Sequence, residues 1–338
     1  MSDINKWYQE LLQPSDVLVS DIVALNGDIL ILGVGGKMGP ALARLAKKAM
    51  DIAGLNKKVI GIARFSEAGL QDELEQQGIE TYQADLLDDH ELQSLPEVEN
   101  VLYLAGTKFG TTGKESLTWA MNTYLPGRVA QKYKHSRIVA FSTGNVYPLT
   151  PVLSGGADEN TPPEPIGEYA QSCLGRERMF QYFASKYNTP LLIYRLNYAN
   201  DVSYGVLLEI ARAVKEKKPI GLSMGHVNVI WQGDANEMAL RALHHCAVPV
   251  KILNVTGPET LSVRWVAEQF GKMFGQSPLF TGQEQDTALL SNAAEAFRLF
   301  GYPRVSLKQL MELLVQWISE GGKTINKPTH FQERKGQF

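Results

Sequence analysis

The sequence predicts an α/β protein with a Rossmann-type, doubly wound parallel sheet and a smaller C-terminal α/β lobe. Short apolar runs alternate with segments of helical periodicity, and the first run ends in a glycine-rich turn. At 338 residues, the chain is longer than one core usually supports. Strand–helix alternation suits either a closed barrel or an open sheet. The glycine-rich turn favours the open sheet, where such turns receive ligand phosphates.

The elements follow in order along the chain. Short apolar runs predict strands at residues 28–32, 58–63, 79–83, 100–105, 137–141, 190–195, 227–231 and 252–256. Apolar residues at helical spacing predict helices at residues 39–50, 71–77, 90–95, 116–133, 204–217, 234–244, 262–274 and 306–320. An accessory helix and a connector are expected before residue 27, and the last residues are polar and without periodicity.

The turn after the first strand has a glycine at every third position and opens a helix. Gly33 would allow the tight turn, Gly36 the approach of a pyrophosphate to the backbone, and Gly39 the packing of helix on strand. A flexible loop is the alternative, but the position between a buried strand and a helix favours dinucleotide binding. A P-loop is excluded, because Met38 stands where Ser or Thr is required and Ile31 where the first glycine would be.

The end of the second strand bears on the choice of cofactor. An acidic residue there would bind the adenosine 2′-hydroxyl of NAD(H), but the sequence has Ala63 followed by Arg64. Arg64 and Lys37 would both face a 2′-phosphate, although either residue is equally compatible with a solvated surface charge. Together they favour NADP(H), with NAD(H) as the alternative. Lys37 and Met38, within the turn, are counted among the cofactor-binding residues.

Composition excludes several classes of function. The net charge of −3 gives no basic field for nucleic acid or an anionic membrane. No apolar run approaches the roughly 20 residues of a membrane span, and the N-terminus has no apolar signal core. Two cysteines, Cys173 and Cys246, cannot form a disulfide framework, so a reducing cytoplasm is expected. No metal site is predicted, because His244, His245 and Cys246 are helical neighbours that point about 100° apart.

Further motifs follow the strands in order. They are Asp85-Leu86, Leu104-Ala105-Gly106, Asn122, residues 141–147, Tyr169, Arg195-Leu196-Asn197, residues 230–234 and residues 254–257. Over roughly residues 28–320, their order and spacing resemble the extended short-chain dehydrogenase/reductase superfamily, and within it the NAD-dependent epimerase/dehydratase family. The resemblance implies a cofactor site, to which it assigns Asp85, Leu86, Ala105, Gly106 and Asn122.

The resemblance also implies a catalytic pair, Thr143 and Tyr169. In the family, a Tyr-x-x-x-Lys pair lies on one helix face. The lysine binds the nicotinamide ribose and lowers the pKa of the tyrosine, which exchanges the hydroxyl proton while Ser or Thr orients the substrate oxygen. In this chain the helix reads EYAQSCLGRER over residues 168–178, with Cys173 at the lysine position. A thiol carries no positive charge, so we expect Tyr169 near its reference pKa of about 10.

Three interpretations of Cys173 follow. In the first, the protein keeps redox chemistry, either with Tyr169 as the acid or with another cation in place of the lysine. Arg176, at i+7 from Tyr169, is better placed for this than Arg178. Alternatively, the protein binds a dinucleotide without turnover, as a sensor or partner. In the third, Cys173 is a reactive thiol, although a small buried filler is far commoner for a lone cysteine. By its position, Cys173 also counts as a cofactor-site residue.

The substrate side departs from the family pattern. Family members that act on nucleoside diphosphate sugars usually carry an arginine before the Val-x-Asp segment, where residues 224–229 of this chain have none. Asn197 lies one position before the family's substrate asparagine, and Tyr198 takes that place. These departures favour a free sugar, sugar acid or polyol over a nucleotide sugar. The candidate substrate residues are Asn145, Asn197, Tyr198, His226 and Trp231, with ordinary strand packing as the alternative for His226 and Trp231.

These expectations divide the chain into four parts. They are an N-terminal helical extension (1–26), a dinucleotide-binding Rossmann domain to which later strands return (27–190), a mainly substrate-binding lobe (191–320) and a polar tail (321–338). We predict an NAD(P)-dependent oxidoreductase or epimerase for a carbohydrate-like hydroxyl or ketone, with a catalytically silent dinucleotide-binding protein as the alternative. The retained Thr143, Tyr169 and second lobe favour the enzyme. The resemblance further implies a homodimer formed through two helices beside the active site, including the one after Tyr169.

Overall fold

A computed structural model describes residues 3–108, 113–325 and 327–337. Residues 1–2 of the predicted N-terminal extension and residues 326 and 338 of the predicted tail lie outside the described part. The strands of the central sheet, numbered in chain order, are β1 Ile29–Leu32, β2 Val59–Ala63, β3 Glu80–Gln83, β4 Asn100–Tyr103, β5 Arg137–Thr143, β6 Leu191–Leu196 and β7 Lys251–Val255. All neighbouring pairs are parallel, in the order β7-β6-β5-β4-β1-β2-β3. The predicted doubly wound sheet is confirmed.

Helices cover both faces of this sheet and build the lobe beside it. They are α1 Asp3–Leu11, α2 Asp16–Ala24, α3 Gly39–Ile52, α4 Leu70–Gln76, α5 Asp89–Ser94, α6 Glu115–Trp119, α7 Leu125–Lys132, α8 Gly167–Tyr187, α9 Val206–Lys215, α10 Gln232–Arg241, α11 Val263–Phe274, α12 Ala294–Phe300 and α13 Leu307–Ser319. A π-helical turn, Ala120–Tyr124, joins α6 to α7 within the helix predicted for residues 116–133. Short strand pairs lie outside the sheet, at Thr150–Pro151, Ala199–Asn200, Pro219–Gly221, His226–Val227, Ile230–Trp231, Leu261–Ser262, Leu279–Thr281 and Thr287–Ala288.

The core follows from the alternation of side chains along β1. Ile29 and Ile31 belong to the apolar cluster on one face of the sheet, whereas Leu30 and Leu32 belong to the cluster on the other. Because helices cover both faces, every residue of β1 is buried. A further cluster forms the core of the C-terminal lobe, and it includes Ile4 near the start of the chain.

One expected strand differs from the structure. The single strand expected at residues 227–231 is wrong: His226–Val227 pairs with Leu261–Ser262, whereas Ile230–Trp231 pairs with Ala199–Asn200. Asn228 lies between them and accepts a hydrogen bond from the backbone N–H of Ser291 at 2.9 Å. The polar tail packs against the lobe, and its Phe331 is buried there.

Candidate functional site

Two adjoining cavities open at the carboxyl ends of the central strands. Here the strand order reverses, because the chain continues from β1 to β2 on one side and from β4 to β5 on the other. The cavities have volumes of about 420 and 360 Å³. Their common wall consists of Gly33, Gly35, Gly36, Leu104, Gly106 and Lys327. Ligands of open α/β sheets bind in the crevice at such a switch point.

The glycine-rich turn has a geometry that larger side chains would disturb. Gly33 has φ +90°, and an added Cβ would lie 2.7 Å from the backbone nitrogen of Ala105. A Cβ on Gly39 would overlap the Val34 carbonyl, so the start of α3 packs directly on the turn. A Cβ on Gly36 would meet the Gly33 carbonyl oxygen at 3.3 Å and otherwise project towards the cleft. These contacts fit the three functions expected of the glycines.

The smaller cavity lies on the β2 and β3 side of the turn. Of the predicted cofactor residues, Arg64, Asp85, Leu86 and Ala105 line it. Lys37 does not share this cavity with Arg64: it lines the larger one, with Nζ 3.2 Å from the centroid of the Tyr204 ring. The expectation that Arg64 and Lys37 face one 2′-phosphate therefore finds no support in their positions.

Thr143 and Tyr169 both line the larger cavity. Thr143 ends β5, and its Oγ1 accepts hydrogen bonds from the backbone N–H of Asn145 at 3.1 Å and from Asn145 Nδ2 at 3.2 Å. Tyr169 lies in the first turn of α8, and its ring is 5.8 Å from Lys108 Nζ. Burial, then Cys173, raises the pKa of Tyr169 well above the expected 10, against the opposing effects of Arg176 and a hydrogen bond with Thr143. The phenol therefore holds its proton at neutral pH.

Cys173 and Arg176 occupy different positions on α8. Cys173 is completely buried and does not line either cavity, and burial raises the pKa of its thiol, as expected for a small filler. Arg176 reaches the larger cavity, where its guanidinium donates to the Phe141 carbonyl at 2.9 Å and to Asn122 Oδ1 at 2.8 Å. The guanidinium lies directly beside Gly106, and a Cβ added to Gly106 would overlap Arg176 Nη2. Arg176, rather than the side chain at i+4, supplies positive charge near Tyr169.

Asn122 acts behind the site and not within it. It is fully buried in the π-helical turn and lines neither cavity. Its side chain accepts from the backbone N–H of Thr107 at 2.9 Å and donates to the Thr107 carbonyl at 2.8 Å. With its bond to Arg176, Asn122 fixes the segment after β4 that borders both cavities.

The predicted substrate residues separate into two groups. Asn145, Asn197 and Tyr198 line the larger cavity. His226 lies outside it in a short strand pair, and Trp231 is buried against Tyr8, with ring centroids 6.0 Å apart. The structure therefore favours the alternative for His226 and Trp231, which is ordinary packing in short strands.

Several lining residues carried no recognisable sequence motif. They are Thr107, Lys108, Tyr204, Lys327 and Thr329. Burial, together with Lys108 and Lys327, lowers the pKa of Lys37 to about 7. Burial lowers the pKa of Lys108 to about 8. Three lysines and Arg176 therefore share the cleft of a chain whose net charge is negative.

A buried polar network underlies the cleft. Glu177 of α8 forms an ion pair with Arg195 of β6, with Nη2 and Oε2 2.6 Å apart, and accepts a hydrogen bond from Ser142 at 2.6 Å. Arg195 also donates to Tyr147 at 2.6 Å, and Tyr147 donates to Asn254 Oδ1 at 2.9 Å. The network therefore joins α8, β5, β6 and β7 immediately behind Thr143.

Comparison with known proteins agrees with this architecture. Residues 29–254 match the NAD dependent epimerase/dehydratase family, and the chain belongs to that family. No significant match occurs among curated proteins. Within the part of the chain that the structure describes, no helix is long and apolar enough to cross a membrane, and no group of His, Cys, Asp or Glu is arranged to hold a metal ion.

Solved structures share the fold at low sequence identity. A mutant UDP-glucuronic acid 4-epimerase from Bacillus cereus, in complex with UDP-4-deoxy-4-fluoro-glucuronic acid and NAD, is 19% identical, with a TM-score of 0.72 over 87% of this chain and 99% of that chain. A UDP-glucose 4-epimerase from Thermotoga maritima with UDP-glucose has a TM-score of 0.71 at 16% identity, again over 87% and 99%. A Thermus thermophilus UDP-glucose 4-epimerase in complex with NAD has a TM-score of 0.69 at 19% identity, over 86% of this chain and 98% of that chain. The fold is that of the NAD-dependent sugar-nucleotide epimerases.

Proposed function

We propose that this protein is an NAD(P)-dependent oxidoreductase or epimerase that acts on a carbohydrate-like hydroxyl or ketone. The observation that carries the proposal is that Thr143 and Tyr169 line the same cavity as Gly36. That cavity adjoins a second one bordered by Arg64 and Asp85. A dinucleotide extending across both would bring its reactive end to the pair of hydroxyl groups.

The residues fit such a cofactor. The turn at Gly33 and Gly36 and the adjacent Gly106 leave room for a pyrophosphate at the N-terminus of α3, while Leu86 and Ala105 offer apolar contacts on the adenosine side. When bound, the nicotinamide supplies hydride exchange with a carbon of the substrate. The neighbours in complex with NAD support NAD(H), whereas Arg64 favours NADP(H).

The two hydroxyl groups have separate functions in this proposal. Thr143 Oγ1 orients the substrate oxygen, and Tyr169 exchanges a proton with it. Because burial holds the phenol protonated, Tyr169 acts best as an acid that donates to the oxygen of a carbonyl being reduced. Arg176 stabilises negative charge that develops nearby.

The departures on the substrate side support a small substrate. Residues 224–229 contain no arginine, and Asn145, Asn197 and Tyr198 offer neutral hydrogen-bonding groups. A free sugar or sugar acid is therefore our first choice. UDP-sugars are the second, because neighbours of the same fold bind them.

The proposal is tested by absorbance at roughly 340 nm, where reduced nicotinamide absorbs. Purified protein is mixed with NADH or NADPH and a panel of keto sugars, and separately with NAD⁺ or NADP⁺ and sugar acids or UDP-sugars, whose epimers are sought by chromatography. We expect a decrease in absorbance or an epimer with at least one member of the panel. Cofactor that binds and never turns over would instead support a catalytically silent dinucleotide-binding protein, which the buried Cys173 at the lysine position favours.

Replacement of Arg64 with alanine tests the choice of cofactor. If Arg64 contacts a 2′-phosphate, losing the charge-assisted hydrogen bond weakens NADPH binding by about tenfold and leaves NADH binding within about twofold. Affinities are measured by fluorescence titration. Arg178→Ala is the control, because this residue lies on α8 and bonds to Gln181. An unchanged ratio of the two affinities in Arg64→Ala would contradict the assignment.

A homodimer formed through the helices beside the active site is also part of the proposal. Leu117, Trp119, Tyr124 and Tyr182 are large exposed residues on α6, the π-helical turn and α8, which pack together. Buried carboxylates without partners are strongly unfavourable, so Tyr124→Asp/Tyr182→Asp should reduce the mass found by sedimentation to the 37.4 kDa of one chain. Tyr302→Asp, at an exposed residue elsewhere, is the control. A monomeric wild type would refute the dimer.

A further inference from the structure

Three lysines from distant parts of the sequence line the larger cavity. Lys37 comes from the glycine-rich turn, Lys108 follows β4, and Lys327 lies in the C-terminal segment. Lys327 also lines the smaller cavity and so belongs to the wall that the two cavities share. Lys327 lies beyond the family match at residues 29–254.

The segment that carries Lys327 is held against the lobe by specific contacts. Thr329 donates through its backbone N–H and its hydroxyl to the Glu209 carboxylate, and the hydroxyl contact is 2.8 Å. Arg334 donates to the Thr287 hydroxyl at 2.6 Å and to its carbonyl at 2.7 Å, and Phe331 is buried between these points. These contacts hold the segment that follows Lys327 against the lobe.

The basic side chains of these three lysines favour an anionic ligand. Three lysines and Arg176 line one cavity, and repulsion by Lys108 and Lys327 adds to burial in lowering the pKa of Lys37. Glu209 partly offsets this effect at Lys37, raises the pKa of Lys108 and also accepts a hydrogen bond from the Thr329 hydroxyl. Among the described residues, the buried Arg176 Nε has no hydrogen-bond acceptor. A ligand with several negative oxygens would relieve the repulsion.

A phosphate group suits a cluster of lysines beside the glycine-rich turn. Lysines bind phosphate oxygens as compact point charges. The backbone of the glycine-rich turn at the N-terminus of α3 favours the same anion. We infer that Lys327, with Lys37 and Lys108, binds the diphosphate group of a ligand, so that the C-terminal segment forms part of the ligand site. The diphosphate belongs either to the dinucleotide or to a nucleoside diphosphate substrate. The inference rests on the proposed dinucleotide site and is independent of turnover.

The test compares full-length wild type with Lys327→Gln. Calorimetric titrations use NADH, and then UDP and inorganic pyrophosphate in the presence of saturating NADH. Losing one charge-assisted contact should raise the Kd by about tenfold for NADH or for the two other ligands. Lys335→Gln, an exposed lysine of the same segment, should stay within about twofold of wild type, and Lys327→Arg should retain most of the affinity.

The outcomes separate the sources of the diphosphate. A loss confined to NADH assigns the cluster to the cofactor, and a loss confined to UDP and pyrophosphate assigns it to the substrate. Equal affinities of wild type and Lys327→Gln for all three ligands would overturn the inference, as would a wild type that binds none of them. Failure of the proposed function is distinct, because it consists of unchanged absorbance with every sugar while these affinities remain measurable.

Discussion

Tyr169→Phe is expected to lower turnover by about 10²- to 10⁴-fold, the usual contribution of a positioned acid or base, and to leave cofactor affinity nearly unchanged. The substitution removes one hydroxyl from the cavity that Thr143 also lines, and the ring keeps its packing. Turnover is measured with whichever sugar changes the absorbance of the reduced cofactor, and affinity is measured separately. Tyr182→Phe, at an exposed position on the same helix, is the matched control and should retain full activity.

The pH dependence of the two reaction directions adds a second readout of Tyr169. Burial raises the pKa of its phenol, so the proton remains in place throughout the neutral range. The reduction uses the phenol as an acid, so ionisation of Tyr169 should not change its rate until the solution is strongly alkaline. Oxidation, which uses the phenolate, should rise by about tenfold per unit through pH 8 to 9 without reaching a plateau. A plateau near neutrality in wild type, or full activity of Tyr169→Phe, would contradict this role.

Local patterns predicted most of the fold. A buried strand, a glycine-rich turn and a helix are encoded within residues 28–50, and the same signals recur at each later strand of the sheet. The strand expected at residues 227–231 was wrong because Asn228 interrupts the apolar run and bonds to Ser291, which lies far away in sequence. The apolar pattern of residues 227–231 carries no information about such a distant partner.

The candidate site was less predictable than the fold, and the reason is also physical. The glycine-rich turn follows a strand of recognisable type, and the family resemblance suggested that Thr143 and Tyr169 lie at the cleft. Lys327 reaches the cleft only through tertiary packing, and Lys108 lies just beyond the Leu104-Ala105-Gly106 motif, but a single lysine in a polar stretch carries no sequence signal. Trp231 was a candidate cleft residue with strand packing as the alternative, and its ring packs against Tyr8 of α1.

The network of Glu177, Arg195 and Tyr147 leads to the largest expected effect on stability. The side chains of Glu177 and Arg195 are 0% and 2% exposed, so removing one of them leaves the other as a buried charge without its counter-ion. We expect Arg195→Met to lower the free energy of unfolding by about 3–5 kcal/mol. Urea unfolding followed by tryptophan fluorescence measures the change. Arg298→Met, which breaks a pair whose arginine is 72% exposed, should lose less than about 1 kcal/mol.

A double variant separates the charge effect from the loss of packing. Glu177→Leu/Arg195→Met removes both charges and refills much of the volume, so it should be more stable than Arg195→Met alone. It still leaves Ser142 and Tyr147 without their partners, and so recovery to the wild-type value is not expected. If the double variant is less stable than Arg195→Met, packing and hydrogen bonds of the two side chains outweigh their charges. If Arg195→Met is no less stable than the surface control, the ion pair does not hold α8 against β6, and the position of Tyr169 must depend on other contacts.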